Sequence, residues 1–172
     1  MSNTHASPHA GAGWSEAEAR ALHERLLVSR RKVAVAESLT VGRVQAALGR
    51  WSGASGYFAG GLTAYELEAK VRLLGVDATH AVDVNAVSAQ VAIEMAAGAA
   101  RLFHAELGVA TTGYAEPDAA RGVTHPCAWV AVTGGGTAPA ATFVEGPDLG
   151  REAMQALAAA AALRLLAARV AG

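Results

Sequence analysis

The chain contains a single cysteine, Cys127, and few charged or aromatic residues among its 172 positions. One cysteine cannot form an internal disulfide, so a disulfide-stapled scaffold is excluded and a reducing cytoplasm is the expected compartment. Lys and Arg number 14 against 15 Asp and Glu, and no basic cluster stands out. A formal net charge of −1 gives no positive electrostatic potential that would attract a polyanion, which argues against nucleic acid as a partner.

Long uncharged apolar runs are also absent. None reaches the roughly 18 residues that a membrane-spanning helix needs. The closest segment, 153–168, is interrupted by Arg164, and its alanine content is typical of a packed helix in a soluble protein. The N-terminus lacks a charged region followed by an apolar core, so no signal peptide is predicted. We therefore expect a cytoplasmic protein without a membrane partner.

Phosphate-loop, dinucleotide and metal motifs are missing as well. Neither a Walker-type loop nor GxGxxG occurs, although the chain has 19 glycines. His5 and His9 lie in a Ser-, Gly- and Pro-rich start of the chain without an acid or cysteine to complete a ligand set. We expect residues 1–13 to form a disordered tail and residues 14–172 a single domain. No cofactor and no metal are predicted.

What the sequence does contain is a high share of hydrophobic residues, 52%, arranged in helical and strand patterns. Apolar runs predict strands over 33–36, 57–65, 107–112, 127–133 and 140–144. Helical patterns with good caps lie over 15–32, 41–48, 66–74, 88–102 and from 151 onward, whereas 77–85 is expected to be a loop. Early strand–helix alternation followed by adjacent strands predicts an α/β fold, a mixed β-sheet with helices on both faces.

The first predicted strand runs into a turn of small hydroxyl residues beside a carboxylate, Glu37-Ser38-Leu39-Thr40. A strand that feeds such a turn at a helix start is where α/β proteins hold an anion or place a nucleophile. The same pattern suits plain N-capping, because a Ser or Thr hydroxyl often accepts a backbone N–H there. On the residues alone, capping is the commoner of the two roles for Ser38.

Three further segments carry candidate site residues. The Gly60–Gly61 pair interrupts an aromatic and β-branched segment, which predicts a bulge where the backbone approaches something closely. Glu66 and Lys70 are one helical turn apart, the spacing of an exposed ion pair worth about 0.3 kcal/mol. A second strand-to-loop junction with hydroxyls and glycine follows at Thr112-Gly113.

Several blocks, in order along the chain, match a known pattern. AESLTVG at 36–42 is similar to AESCTGG, and FAGGLTAYELEAKVRLLGV at 58–76 to F-x-G-G-x-x-A-Y-x-N-E-x-K-x-x-L-L-G-V. AVSAQVAIEMAAGA at 86–99 and VATTGYAEP at 109–117 are similar to two later blocks. From about residue 15 onward the chain resembles the CinA C-terminal domain family, which includes bacterial nicotinamide-nucleotide amidohydrolases.

The resemblance implies a three-layer α/β/α fold and hydrolysis of the carboxamide of nicotinamide mononucleotide, giving nicotinic acid mononucleotide and ammonia. The family's nucleophilic serine falls on Ser38, its base lysine on Lys70 and its catalytic tyrosine on Tyr65. Once the resemblance is included, catalysis becomes the favoured role for Ser38 over helix capping. For Lys70, a buried catalytic amine becomes favoured over a surface ion pair with Glu66. We assign substrate binding to the residues around them: Glu37, Thr40, Gly42, Gly60, Gly61, Thr112 and Gly113.

The remaining expectations concern the reacting groups and the assembly. Backbone N–H groups at the start of the helix after Ser38 are the expected donors to the oxyanion. The substrate's phosphate is expected on another helix N-terminus or on the Gly60–Gly61 backbone. The partner is a small pyridine mononucleotide, and we expect a homo-oligomer in which the Ala-rich C-terminal helix packs between subunits.

The chain also departs from the family pattern around these residues. The substituted positions are Leu39 and Val41 in the serine turn, Leu67 in place of asparagine, Glu116 in place of glycine, and Gly146 and Gly150 where arginines stand in the family. Three functions stay open on this sequence. They are the nucleotide amidohydrolase, a catalytically weak or inactive relative that binds a nucleotide or protein partner, and an amidase for a less anionic substrate.

Overall fold

The computed structural model describes residues 13–171, so the tail predicted over residues 1–13 lies outside the described residues except for Gly13. The helices are α1 (Glu16–Ser29), α2 (Arg43–Gly49), α3 (Leu67–Leu74), α4 (Ala78–Asp83), α5 (Ala89–Leu102) and α6 (Arg151–Ala171). The strands are β1 (Val33–Glu37), β2 (Phe58–Thr63), β3 (Leu107–Tyr114), β4 (Cys127–Gly134) and β5 (Ala140–Glu145).

The five strands form one mixed sheet in the order β2-β1-β3-β4-β5. Strand β1, second in this order, runs parallel to both neighbours, with Glu37 opposite Thr63 on one side and Thr111 on the other. The β3–β4 and β4–β5 pairs are antiparallel. The predicted mixed sheet is therefore confirmed, and the carboxyl ends of β1, β2 and β3 meet at one edge, where α/β proteins place ligands.

The two faces of the sheet carry side chains of different size. Successive side chains of a strand point to opposite faces. Val33 and Val35 of β1 pack in a core with α1, α2 and α6, whereas Ala34 and Ala36 pack in a second core with α3, α4 and α5. A Cβ at Gly108 would lie 1.9 Å from a backbone oxygen of α5, so small residues let α5 approach the sheet closely. Helices on both faces confirm the three-layer α/β/α arrangement.

Among the described helices, α6 alone is long and apolar enough, by length and composition, to cross a membrane. One stripe of α6 is fully buried in the core at successive helical turns: Met154, Ala158, Ala162 and Leu166. Arg164 pairs with Glu18 of α1 at 2.7 Å. This packing makes α6 a core helix of a soluble-type α/β fold, as its composition predicts.

The loop predicted over residues 77–85 is wrong, because the structure has α4 there. The Asp77 carboxylate caps this helix by accepting the His80 N–H at 2.8 Å. With six residues and Ala81 as its buried side chain, α4 is too short to show an apolar period. The capping aspartate is the signal that the prediction overlooked.

A strained residue lies in the turn between β1 and α2. Val41 has a left-handed backbone, with φ at 49°, which costs a β-branched residue on the order of 1–3 kcal/mol. Its side chain is 54% exposed, so little packing is lost on its removal. We expect Val41→Gly to raise the free energy of unfolding by about 1 kcal/mol in chemical denaturation, because glycine adopts this conformation without a clash.

A matched control is Val28→Gly, at an exposed valine in the last part of α1. There the backbone is helical, so glycine should lower the free energy of unfolding by roughly 0.5–1 kcal/mol. Equal losses in the two variants would contradict the strain at Val41.

Candidate functional site

A cavity of about 370 Å³ lies where β1, β2 and β3 end. It brings together five of the predicted site residues: Ser38, Tyr65, Lys70, Thr112 and Gly113. They come from the turn after β1, the loop after β2, helix α3 and the end of β3. The rest of the lining is supplied by Glu66, Leu67, Asn85, Ala86, Val87, Tyr114, Asp118 and Arg121.

Ser38 is held in place by its backbone, not by its side chain. Its N–H donates to the Thr111 carbonyl of β3 at 3.0 Å, which ties the turn to the central sheet. Within residues 13–171 its hydroxyl makes no hydrogen bond, and the N-cap of α2 is Gly42, without a side-chain bond. The capping role considered for Ser38 is therefore wrong, and its hydroxyl is left to meet a ligand in the cavity.

The Glu37 carboxylate caps α2 instead. Fully buried, it accepts three backbone N–H groups at the start of α2, between 2.9 and 3.2 Å, and the Thr40 hydroxyl at 2.6 Å. A carboxylate at this end of a helix also meets its positive dipole. Glu37, Thr40 and Gly42, which were predicted to bind substrate, do not line the cavity. They hold the turn that presents Ser38.

The Gly60–Gly61 pair also does not line the cavity. The predicted bulge is confirmed, because the register between β1 and β2 shifts directly before Gly60: Val33 pairs with Phe58 and Ala34 pairs with Gly60. A Cβ would lie 2.6 Å from the Phe103 ring at Gly60 and 2.6 Å from the Gln45 side chain at Gly61. The close approach at this pair is therefore to side chains of the fold itself.

Lys70 is a buried amine. It is 3% exposed, and its Nζ donates to the Tyr65 carbonyl oxygen at 2.7 Å. Burial lowers the pKa of Lys70 to about 8, while the charge of Glu66 acts in the opposite direction. Leu67, one turn earlier on the same wall, adds apolar surface beside it. An amine with this pKa is partly neutral near physiological pH and can accept a proton.

Tyr65 carries an exposed ring whose hydroxyl accepts a hydrogen bond from Arg151 Nη2 at 3.0 Å. The same guanidinium pairs through Nη1 with the Glu116 carboxylate at 2.5 Å. The Tyr65 hydroxyl and the Glu116 carboxylate raise the pKa of Arg151. Arg151 lines an adjoining cavity of about 360 Å³ that shares Tyr65 with the first. Sequence patterns did not point to Arg151, although it begins α6 directly after Gly150.

Thr112 and Gly113 line the cavity from the end of β3. The Thr112 hydroxyl donates to the Ala86 carbonyl at 2.6 Å, and a Cβ at Gly113 would lie 2.3 Å from a carbonyl oxygen of β4. Asn85 and Ala86 are consecutive left-handed residues, with φ at 48° and 57°. Non-glycine residues keep such a conformation where the surroundings over-determine it, which is frequent at functional sites. No sequence motif points to Asn85 and Ala86 as site residues.

The family model of the CinA C-terminal domain matches residues 15–170. A CinA-like protein of Mycolicibacterium vanbaalenii is 43% identical over 123 residues, which cover 70% of this chain and 29% of that protein. A putative competence-damage inducible protein of Streptococcus agalactiae is 40% identical over 112 residues, covering 65% and 27%. The chain thus spans less than a third of the length of these curated relatives.

Solved structures agree with the sequence comparison. The crystal structure of a competence-damaged protein (CinA) superfamily protein from Escherichia coli has a TM-score of 0.80 at 29% identity, covering 88% of this chain and 87% of that chain. One from Klebsiella pneumoniae has a TM-score of 0.81 at 25% identity, covering 90% and 96%. In these two structures the similarity extends over most of both chains.

Proposed function

The chain belongs to the CinA C-terminal domain family, and from that premise we propose that it is an amidohydrolase of pyridine nucleotides. The proposed reaction hydrolyses the carboxamide of nicotinamide mononucleotide to nicotinic acid mononucleotide and ammonia. One observation carries the proposal. The unpartnered hydroxyl of Ser38 and the buried amine of Lys70, with its lowered pKa, line the same cavity.

The first step is attack by the Ser38 oxygen on the carboxamide carbon. A serine hydroxyl is a weak nucleophile and needs a base to take its proton as the new bond forms. Neutral Lys70 supplies that base, because burial holds its pKa near 8. A positively charged pyridinium ring nearby would lower the pKa of the amine further.

The tetrahedral intermediate carries an oxyanion that needs donors. The N–H groups at the start of α2 are already bound to Glu37, so the expected donors are not available. The N–H groups of Leu39 and Thr40, in the turn itself, make no hydrogen bond within residues 13–171. Thr40 is fully buried, whereas Leu39 lines the adjoining cavity, so we assign the oxyanion to the Leu39 N–H, which directly follows the nucleophile.

Collapse of the intermediate breaks the C–N bond and releases ammonia, whose nitrogen needs a proton. The Tyr65 hydroxyl accepts its hydrogen bond from Arg151, so its own proton is left to donate. Protonated Lys70, which lines the cavity, is a second donor. Water then hydrolyses the Ser38 ester, with Lys70 as the base a second time.

The test is turnover by the purified protein. Incubation with nicotinamide mononucleotide should release ammonia and nicotinic acid mononucleotide in equal amounts, followed by a coupled ammonia assay and by chromatography. Folded protein that releases no ammonia above the Ser38→Ala background would contradict the proposal.

A catalytically weak relative that binds a nucleotide or a protein partner is the second candidate. Strain at Val41 beside the serine and the engagement of Arg151 by Glu116 favour it. Tight binding of the mononucleotide without turnover would select this function. The homo-oligomer and the cytoplasmic location stay predictions, and light scattering on the purified protein tests the first.

A further inference from the structure

We propose that Glu116 is a specificity-determining residue, because its carboxylate occupies the Arg151 guanidinium that an anionic group of the substrate would otherwise bind. Glu116 thereby weakens the binding of phosphorylated substrates relative to their unphosphorylated counterparts. The inference rests on the proposed function for the identity of the substrate, a pyridine nucleotide. The contacts on which it depends belong to the adjoining cavity and do not involve Ser38.

Within residues 13–171, the adjoining cavity is lined by one cationic side chain. Of the described residues that line it, Arg151 is the one cation, and Glu116 and Asp118 are the acids. Asp118 is paired with Arg121 at 2.6 Å, and Arg121 lines the first cavity instead. The guanidinium of Arg151 is therefore the cationic group that a phosphate entering this space would meet.

The Arg151–Glu116 pair is easy to open. The two side chains are 44% and 60% exposed, so water and salt screen their attraction. A phosphate dianion carries twice the charge of a carboxylate and attracts the guanidinium more strongly. Displacement by phosphate is therefore favourable, but the freed carboxylate of Glu116 stays close to the bound dianion and repels it.

The geometry lets an anion replace Glu116 without disturbing Tyr65. Glu116 uses Nη1 of Arg151, whereas the Tyr65 hydroxyl uses Nη2. An anion that takes over Nη1 leaves the second bond in place. Glu116 therefore changes how well a phosphorylated substrate binds, and the tyrosine keeps its position in the site.

The decisive variant is Glu116→Gln, which keeps the size of the side chain and removes its charge. The control is Glu152→Gln, the same change at the residue that follows Arg151 in α6. Glu152 is exposed and lines neither cavity. Glu116→Gln should lower KM for nicotinamide mononucleotide by roughly three- to tenfold and leave KM for nicotinamide riboside within about twofold. Glu152→Gln should change neither.

A second measurement does not depend on turnover. Isothermal titration with inorganic phosphate should show affinity roughly three- to tenfold tighter for Glu116→Gln than for the wild type and Glu152→Gln. In an Arg151→Met background the same substitution should have no effect. Unchanged phosphate affinity in Glu116→Gln would overturn the inference whether or not the wild type hydrolyses the nucleotide. Tighter phosphate binding without any ammonia release would contradict the proposed function alone.

Discussion

Ser38→Ala should lower the rate of ammonia release from nicotinamide mononucleotide by about 10⁴-fold or more, as removal of a covalent nucleophile does. The same substitution should leave the free energy of unfolding within about 0.5 kcal/mol of the wild type. The physical reason is that the Ser38 hydroxyl makes no hydrogen bond within the described residues, so none is lost. Steady-state kinetics and chemical denaturation measure the two effects.

Thr40→Val is the matched hydroxyl control, two residues along the same turn. The Thr40 hydroxyl donates to buried Glu37 at 2.6 Å and meets the Thr111 hydroxyl at 2.7 Å, and Thr40 does not line the cavity. Loss of the Thr40 hydroxyl should lower the free energy of unfolding by about 1–3 kcal/mol, and the folded fraction should retain turnover. The opposite pattern, with Ser38→Ala unstable but active, would return Ser38 to a structural role.

Lys70→Met should abolish turnover and raise stability together. The fold lowers the pKa of Lys70 from 10.5 to about 8, so between these pH values the unfolded chain binds more protons than the folded one. Stability therefore rises with pH in that window, and below it the buried amine costs about 3 kcal/mol. Methionine fills a similar volume without charge, and the lost bond to the Tyr65 carbonyl offsets about 1 kcal/mol.

The expected net gain is about 2 kcal/mol near neutral pH, and it should disappear as the pH rises toward the ordinary range of a lysine. Denaturation curves of wild type and Lys70→Met across this range give the difference. In parallel, the wild-type rate should rise with pH up to about 8, as the amine of Lys70 becomes neutral. A stability difference that does not change with pH, or turnover by Lys70→Met, would show that Lys70 is not the buried base.

The sequence predicts the sheet well because its strands are apolar runs separated by caps and glycines, which are local signals. The same local signals fail at the site. The four-residue spacing predicts an exposed ion pair between Glu66 and Lys70. In the structure, α3 packs against α5 and the amine of Lys70 is buried. Ser38 has the composition of a cap, yet Glu37 supplies the capping oxygens. Burial and competition between neighbouring acceptors are tertiary properties, so the family blocks, not the pattern, identified these residues.

Arg151 shows a further limit of the sequence. When the chain is matched to the family pattern position by position, glycine stands at 150 in place of an arginine. In the structure, the neighbouring Arg151, in the first turn of α6, donates to the Tyr65 hydroxyl. Its partner Glu116 lies in a different segment, after β3, and the two meet in the folded chain. Neither the pairing nor its effect on an incoming anion is visible until the strand ends are brought together.

The position of β1 between β2 and β3 has a consequence for how the protein reaches its native state. Its partner β3 is separated from it along the chain by β2 and four helices, and Ser38 itself bonds to β3 through Thr111. Parallel pairing between distant segments is slow to form, because the conformational entropy of the connecting chain is lost before the strand contacts stabilise the pair. The β4–β5 hairpin, by contrast, joins neighbouring segments. The cavity is thus absent from any partly folded chain in which β1 and β3 are still apart.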